Sequence, residues 1–223
     1  MIEPNKSVVI FSHSRSGSTF FQKSLPHYYL GEMFEKQIQI NGFGNKSILA
    51  NYEKGKPAFD SYENELERRF KLYLHYASIK PVSIKVLLHR KNDQIINFLK
   101  KQEDTQFVLL KRENKIDTFW SNLISWHTLD WYGPVKQTNL TIKRVIFDMV
   151  IDMMRSYQYE CDNIKSMFDI KEFVYEEFIK YPKSYWFNPA PTFIQNAKES
   201  TTITNIDEVN QWIKDAKITE IVY

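Results

Sequence analysis

At 223 residues, with 43% hydrophobic and 15% aromatic side chains, the chain can bury a substantial core and is no disordered polymer. A net charge of +3 is too mild to argue for a nucleic-acid partner, and a lone cysteine, Cys161, excludes a disulfide framework and makes a reducing compartment the expectation. The length fits one domain over residues 1–223, and no apolar run approaches a membrane span.

The chain begins Met1-Ile2-Glu3-Pro4 with no basic and apolar leader, so a cytosolic location is expected. Val8 to Phe11 (VVIF) has the length and β-branching of a buried parallel strand. Small polar residues follow, centred on Ser14-Arg15-Ser16-Gly17-Ser18-Thr19, and Phe20, Phe21 and Leu25 then open a helical pattern. Strand, small-residue loop and helix start together aim backbone N–H groups and a helix dipole at a phosphate-like anion. A structural turn needs no guanidinium, whereas an anion cradle does, so Arg15 marks the loop as functional. Ser16, Gly17, Ser18 and Thr19 would donate backbone and hydroxyl hydrogen bonds; Ser18 and Thr19 are also natural N-caps for the helix.

The loop is not a Walker A motif, which reads G-x-x-x-x-G-K-[ST]. Gly17 precedes Ser18 where a lysine is required, and Ser12 stands where the first glycine would be. A P-loop kinase would thereby lack the charge that bridges the β and γ phosphates.

Farther along, the irregular stretch Ile40 to Pro57 reads as an acceptor-side or lid loop. Glu65 to Ala77 predicts a helix with Leu66, Phe70, Leu74 and Ala77 on one face. The strand Val82 to Leu88 carries Lys85 at its middle. Buried lysines are rare unless paired, so Lys85 is expected either to reach a bound anion or to pair with Glu176. Asp93 to Lys100 is a helix, and Phe107 to Leu110 a strand followed by Arg112. Ser121 lies nine residues past Arg112 on the helix Asp117 to Leu129, where it can face an oxygen held by the Arg112 fork.

Thr141 to Phe168 makes one or two long helices, and Phe173 to Tyr175 a last strand before a second irregular stretch, Tyr181 to Pro191. Val145-Ile146-Phe147-Asp148 superficially imitates a Walker B strand, but Asp148 and Asp152 are four apart among helix formers and read as a solvated helical face. The histidines 13, 27, 75, 89 and 127 show no metal-ligand spacing; His13 is in the loop, within reach of a ligand, and the other four read as structural. Trp120, Trp126 and Trp131 read as core. Strands alternating with helices predict an α/β fold, a P-loop-like parallel sheet flanked by helices, with ligands bound at the carboxyl ends of its strands.

The segment S-R-S-G-S-T resembles the 5′-phosphosulfate loop of sulfotransferases that use 3′-phosphoadenosine 5′-phosphosulfate (PAPS), and looks most like the bacterial branch acting on glycolipids and related carbohydrates. Leu30-Gly31-Glu32-Met33-Phe34 is similar to that family's Gly-Glu-x-Phe segment, Ser83-Ile84-Lys85-Val86 to its Phe-Lys-Ile/Leu strand, and Arg112 with Ser121 to its 3′-phosphate element. Val174-Tyr175-Glu176-Glu177-Phe178 with Tyr181-Pro182, and Ile203-Thr204-Asn205-Ile206-Asp207-Glu208-Val209, look like its closing motifs in the family's order. Glu113-Asn114 departs from the usual Asp or Asn-Pro after the arginine, and Tyr29 to Lys80 is short for an acceptor-binding region.

The resemblance implies PAPS as donor, no metal, and a small-molecule acceptor, a carbohydrate or glycolipid in the family's pattern. It implies that Glu32 is the catalytic base, with Glu35 in reserve, and that Arg15 neutralises charge on the bridging oxygen while Lys85 approaches the sulfate. Ser14 to Thr19 would bind the 5′ side of the donor; Arg112, Ser121 and Lys198 would bind the 3′-phosphate, with an aromatic residue after Arg112 stacking on adenine. Two rivals are a P-loop kinase and a non-catalytic nucleotide-binding module. Arg15 and Glu32 together speak against the second.

Overall fold

The structure, a computed structural model, describes residues 2–34, 62–128, 138–180 and 201–220. The two irregular stretches and Trp131 lie outside the described residues. Along the chain run β1 (Ser7–Ser12), α1 (Ser18–Lys23), β2 (Tyr28–Gly31), α2 (Tyr62–Ala77), β3 (Val82–Leu87), α3 (Asp93–Leu99), β4 (Thr105–Lys111) and α4 (Lys115–Thr128). There follow β5 (Thr138–Leu140), α5 (Arg144–Met167), β6 (Ile170–Val174), α6 (Tyr175–Lys180), β7 (Thr201–Ile203) and α7 (Ile206–Asp215). Among the described residues no helix is long and apolar enough to cross a membrane.

Five strands form one sheet in the order β2-β3-β1-β4-β6, and each neighbouring pair is parallel. The connection leaving β1 runs toward β2 and β3, whereas the one leaving β4 runs toward β6. The strand order therefore reverses between β1 and β4, and outside their carboxyl ends an open α/β sheet binds its ligands. The loop after Ser12 and the turn at Arg112 both sit there.

Alternation along the buried strands assigns the two faces. Val9 and Phe11 join Ile84, Val86 and residues of α2, α3 and α5 in one core, while Val8 and Ile10 join Phe21, Leu25, Val108, Leu110 and Phe178 in the other. A third cluster packs α4 and α5 against β7 and α7 through Phe119, Leu123, Phe147, Met154 and Val209.

The expected strands and helices are present with shifted ends, three short strands are added, and the readings of Tyr175 and Leu74 change. β2, β5 and β7 are three or four residues long and carry no sustained apolar alternation. Tyr175 opens α6 instead of ending a strand, because Glu176 and Glu177 supply an acidic first turn. The span 141–168 holds one helix, of 24 residues. On α2, Leu74 is 47% exposed, and among the described side chains the buried positions are Leu66, Arg69, Leu72 and Tyr73. Arg69 is buried because its guanidinium donates to the Met33 carbonyl at 2.7 Å, so the helix turns a charged residue inward.

His13 differs from expectation too. Its ring stacks on Tyr157 of α5 at 3.5 Å between centroids, and Nε2 lies 3.3 Å from Cys161 Sγ. It anchors the start of the loop to the helix layer instead of facing a ligand. Burial, reinforced by His89, pulls its pKa down to about 3, and burial pushes the Cys161 thiol up to about 11.

A buried neutral imidazole ties stability to pH. In the unfolded chain His13 takes up a proton below its ordinary value of 6.5, whereas the folded protein leaves it neutral down to about 3, so its contribution is lost as pH falls through that window. Urea unfolding at pH 7 and pH 5 should show the wild type losing about 2 kcal/mol more stability than His13→Gln. Equal losses in both proteins would show that His13 titrates normally in the folded state.

Candidate functional site

The loop after β1 is bent by two residues with left-handed backbone, Arg15 at φ +61° and Gly17 at φ +80°. Such a conformation costs an L-residue about 1–2 kcal/mol, so at Arg15 it has to be held from outside. The Arg15 carbonyl accepts from Arg112 Nη1 at 3.0 Å, and Arg15 Nε donates to Ser121 Oγ at 2.7 Å. Beside it, Ser14 Oγ donates to Asn122 Oδ1 at 2.7 Å. Gly17 is required twice over: its φ suits glycine, and a Cβ there would overlap the Tyr175 ring.

Gly17, not Ser18 or Thr19, occupies the N-cap of α1, and no side chain caps the helix. Thr19 Oγ1 instead accepts from Lys85 Nζ at 3.0 Å. Ser14, Ser16 and Ser18 are buried, and Ser16 Oγ has no hydrogen-bond partner among the described residues. A buried hydroxyl without a partner is unfavourable, and an oxygen-rich ligand seated in the loop would satisfy it.

Arg112 follows the last residue of β4 and reaches across to the loop 97 positions earlier. Its guanidinium has Asp117 on one side, with Nη2 3.5 Å from Oδ2, and Glu176 on another, with Nε 3.6 Å from Oε1. It also lies over the Tyr175 ring, 5.4 Å from the centroid. Glu176 therefore belongs to Arg112 and not to Lys85. Three of the residues expected to meet an anion, Arg15, Arg112 and Ser121, are brought together at the switch point of the sheet.

Lys85 sits on the α1 side of β3, opposite Ile10 of β1. There Gln22 of α1 donates to the Ser83 carbonyl at 2.7 Å, and Lys85 forms an ion pair with Glu32. Both partners are buried, with Lys85 5% and Glu32 9% exposed. Glu32 is delivered to this point by an irregularity in β2, where the register slips between Tyr29 and Gly31 and Gly31 takes φ +65°. Burial, then the nearby Glu32 carboxylate, raises the Tyr29 phenol to about 12. Thr19 thus links the loop after β1 to the Lys85–Glu32 pair. Glu35 and Lys198 lie outside the described residues. Among those residues no three His, Cys, Asp or Glu side chains group as metal ligands.

Sequence reasoning missed Asn122, the Tyr175 ring against Gly17, and the place of Glu176. Asn122 offered one signal, a polar residue between Trp120 and Leu123 on a helix buried on most sides. The other two arise from the approach of β6 to β4 and left no local trace.

No protein-family model matches the chain, and no curated protein matches it in sequence. Its structure is similar to the sulfotransferase domain from the curacin biosynthetic pathway, with a TM-score of 0.52 and 14% identity, over 100% of this chain and 93% of that one. The parallel sheet flanked by helices, with its loop at the end of β1, is thus a sulfotransferase-like, P-loop-like α/β fold.

Proposed function

We propose that the protein transfers a sulfuryl group from PAPS to a hydroxyl of a carbohydrate, glycolipid or other small acceptor. The observation that carries this reading is the convergence of Arg15, Arg112 and Ser121 beside a loop with a buried, unpartnered Ser16 hydroxyl. Two guanidinium groups and small-residue hydroxyls suit a nucleotide bearing anions on both its 5′ and 3′ sides. PAPS, when bound, supplies an activated sulfuryl group on its 5′-phosphate.

In this reading Ser14 to Thr19 hold the 5′ side, Arg15 places positive charge where the leaving phosphate gains negative charge, and Arg112 with Ser121 takes the 3′-phosphate. Glu32 takes the proton of the acceptor hydroxyl, because an alcohol is a weak nucleophile until that proton begins to leave. Lys85 orients the Glu32 carboxylate and, through Thr19, ties it to the loop. The kinase alternative loses its Walker B candidate: Asp148 lies on the exposed face of α5, paired with Arg144 at 2.8 Å, and Asp152 pairs with Arg155 at 3.6 Å.

Calorimetry tests the ligand. Adenosine 3′,5′-bisphosphate should bind much more tightly than AMP or ATP, and Arg112→Ala should remove about 2 kcal/mol of that binding while weakening AMP by less, the AMP loss reflecting the Arg112 contact to the Arg15 carbonyl. Equal affinity for AMP, or a Mg²⁺-dependent preference for ATP, would replace the donor reading with the kinase one.

The base is tested by turnover, after a screen of simple glycosides and lipids with labelled PAPS has found an acceptor. Glu32→Gln keeps the shape and loses the basicity, so turnover should fall roughly 10²-fold or more with donor affinity nearly unchanged. Full turnover in Glu32→Gln with loss in Glu35→Gln would move the base by three residues; full turnover in both would end the carboxylate mechanism.

A further inference from the structure

Glu176 makes more contacts around the proposed 3′-phosphate site than any motif reading assigns to it. It stands in the first turn of α6, directly after β6, and the last register pair between β4 and β6 is Lys111 with Val174. The turn that follows β4 therefore runs beside the turn that follows β6. Across that gap Glu176 Oε2 accepts the Glu113 N–H at 2.9 Å, and Oε1 accepts the Asn114 N–H at 3.0 Å. One carboxylate thus holds two consecutive amides. Arg112 Nε is buried and makes no hydrogen bond among the described residues, so the Glu176 charge 3.6 Å away is its electrostatic compensation.

The turn that Glu176 grips also sets α4. Asn114 accepts the Asp117 N–H through Oδ1 at 3.0 Å, and its carbonyl accepts the Thr118 N–H at 3.1 Å. The direction of the helix from that point fixes Ser121, which receives Arg15 Nε. A shift of Asn114 would consequently move both Arg112 and Ser121 relative to the loop.

We propose that Glu176 is a positioning residue: by clamping the Glu113 and Asn114 amides and facing Arg112 Nε, it sets the preference of the site for nucleotides carrying a 3′-phosphate. The inference rests on the donor reading proposed above. Glu176 touches no ligand in this account. It acts through the plane of the Arg112 guanidinium, whose preorganised fork is what a bidentate anion contact depends on.

Calorimetry with adenosine 3′,5′-bisphosphate and with AMP separates positioning from general structure. Glu176→Gln keeps the size but offers an NH₂ donor toward an amide donor or the guanidinium, so one clamp is lost. The expected result is a weakening of bisphosphate binding by at least tenfold, with AMP affinity within twofold of wild type. In the Arg112→Ala background the same change should cost less than it does in the wild type, because the part of its effect that passes through Arg112 is gone. Glu176→Asp, which retains the charge and shortens the reach, should give an intermediate loss. A wild-type ratio of the two affinities in a folded Glu176→Gln protein would overturn the inference, as would a loss that persists undiminished without Arg112. Collapse of both Glu176 variants in thermal unfolding would also overturn it, by assigning the residue to the fold. A wild type that does not prefer the bisphosphate would instead sink the donor reading itself.

Discussion

The left-handed backbone at Arg15 is the constraint around which the site is organised. A non-glycine residue persists there only when its surroundings over-determine it, and three elements do so. The end of β4 holds the carbonyl through Arg112, α4 holds the side chain through Ser121 and the preceding residue through Asn122, and the Tyr175 ring closes on Gly17. None of these is a neighbour in sequence. They meet because β4 lies next to β1 and β6 next to β4, so the loop's shape is a consequence of sheet topology. A loop held in this way needs little rearrangement when an anion arrives, and preorganisation of that kind is what makes fixed donors effective.

The loop is also tied to the opposite side of the sheet. Successive residues of an extended chain point to opposite faces, so the residue after Ser12 turns away from α1. His13 accordingly enters the core under α5, stacked on Tyr157 and beside Cys161. Replacing it by an apolar ring would keep the packing but lose the polar contact to the thiol. One end of the loop is thus set by aromatic packing on one face, and the other by the N-cap glycine of α1 on the other.

Much of this was legible in the chain. The β-branched runs announced the buried strands because parallel strands bury both faces, and the small residues from Ser14 to Thr19 announced a tight strand-to-helix turn. Arg112 and Ser121 were expected near one another from the nine-residue interval together with the family resemblance, and both contact Arg15. What could not be read were features made by tertiary register. β2 is too short to show a period, and Arg69 reads as polar although its carbonyl contact makes burial favourable. Lys85 is expected from the sequence to reach an anion or pair with Glu176; that it pairs with Glu32 instead depends on which edge of the sheet β2 occupies. Glu176 clamps a turn that lies 62 residues away in the chain, and no local pattern encodes that distance.

The Lys85–Glu32 pair brings the energetic argument to the chemistry. Burying two charges requires desolvating both, and their attraction in the interior roughly offsets that loss, so well-packed apolar residues of similar volume would often serve stability as well or better. β3 could accommodate such a substitution, because Ile10, opposite Lys85 on the same face of the sheet, already packs in an apolar core. Stability alone therefore gives little reason for a lysine at this position. A carboxylate fixed by an ammonium, joined through Thr19 to the loop after β1 and 9% exposed, is instead what the proposed proton transfer would use. The irregularity in β2 points the same way. A regular strand would continue its alternation through Gly31, and the slip with φ +65° redirects the chain so that Glu32 meets Lys85. Strand distortion, buried charge and anion loop thus converge on one end of the sheet, which is where the proposed transfer would take place.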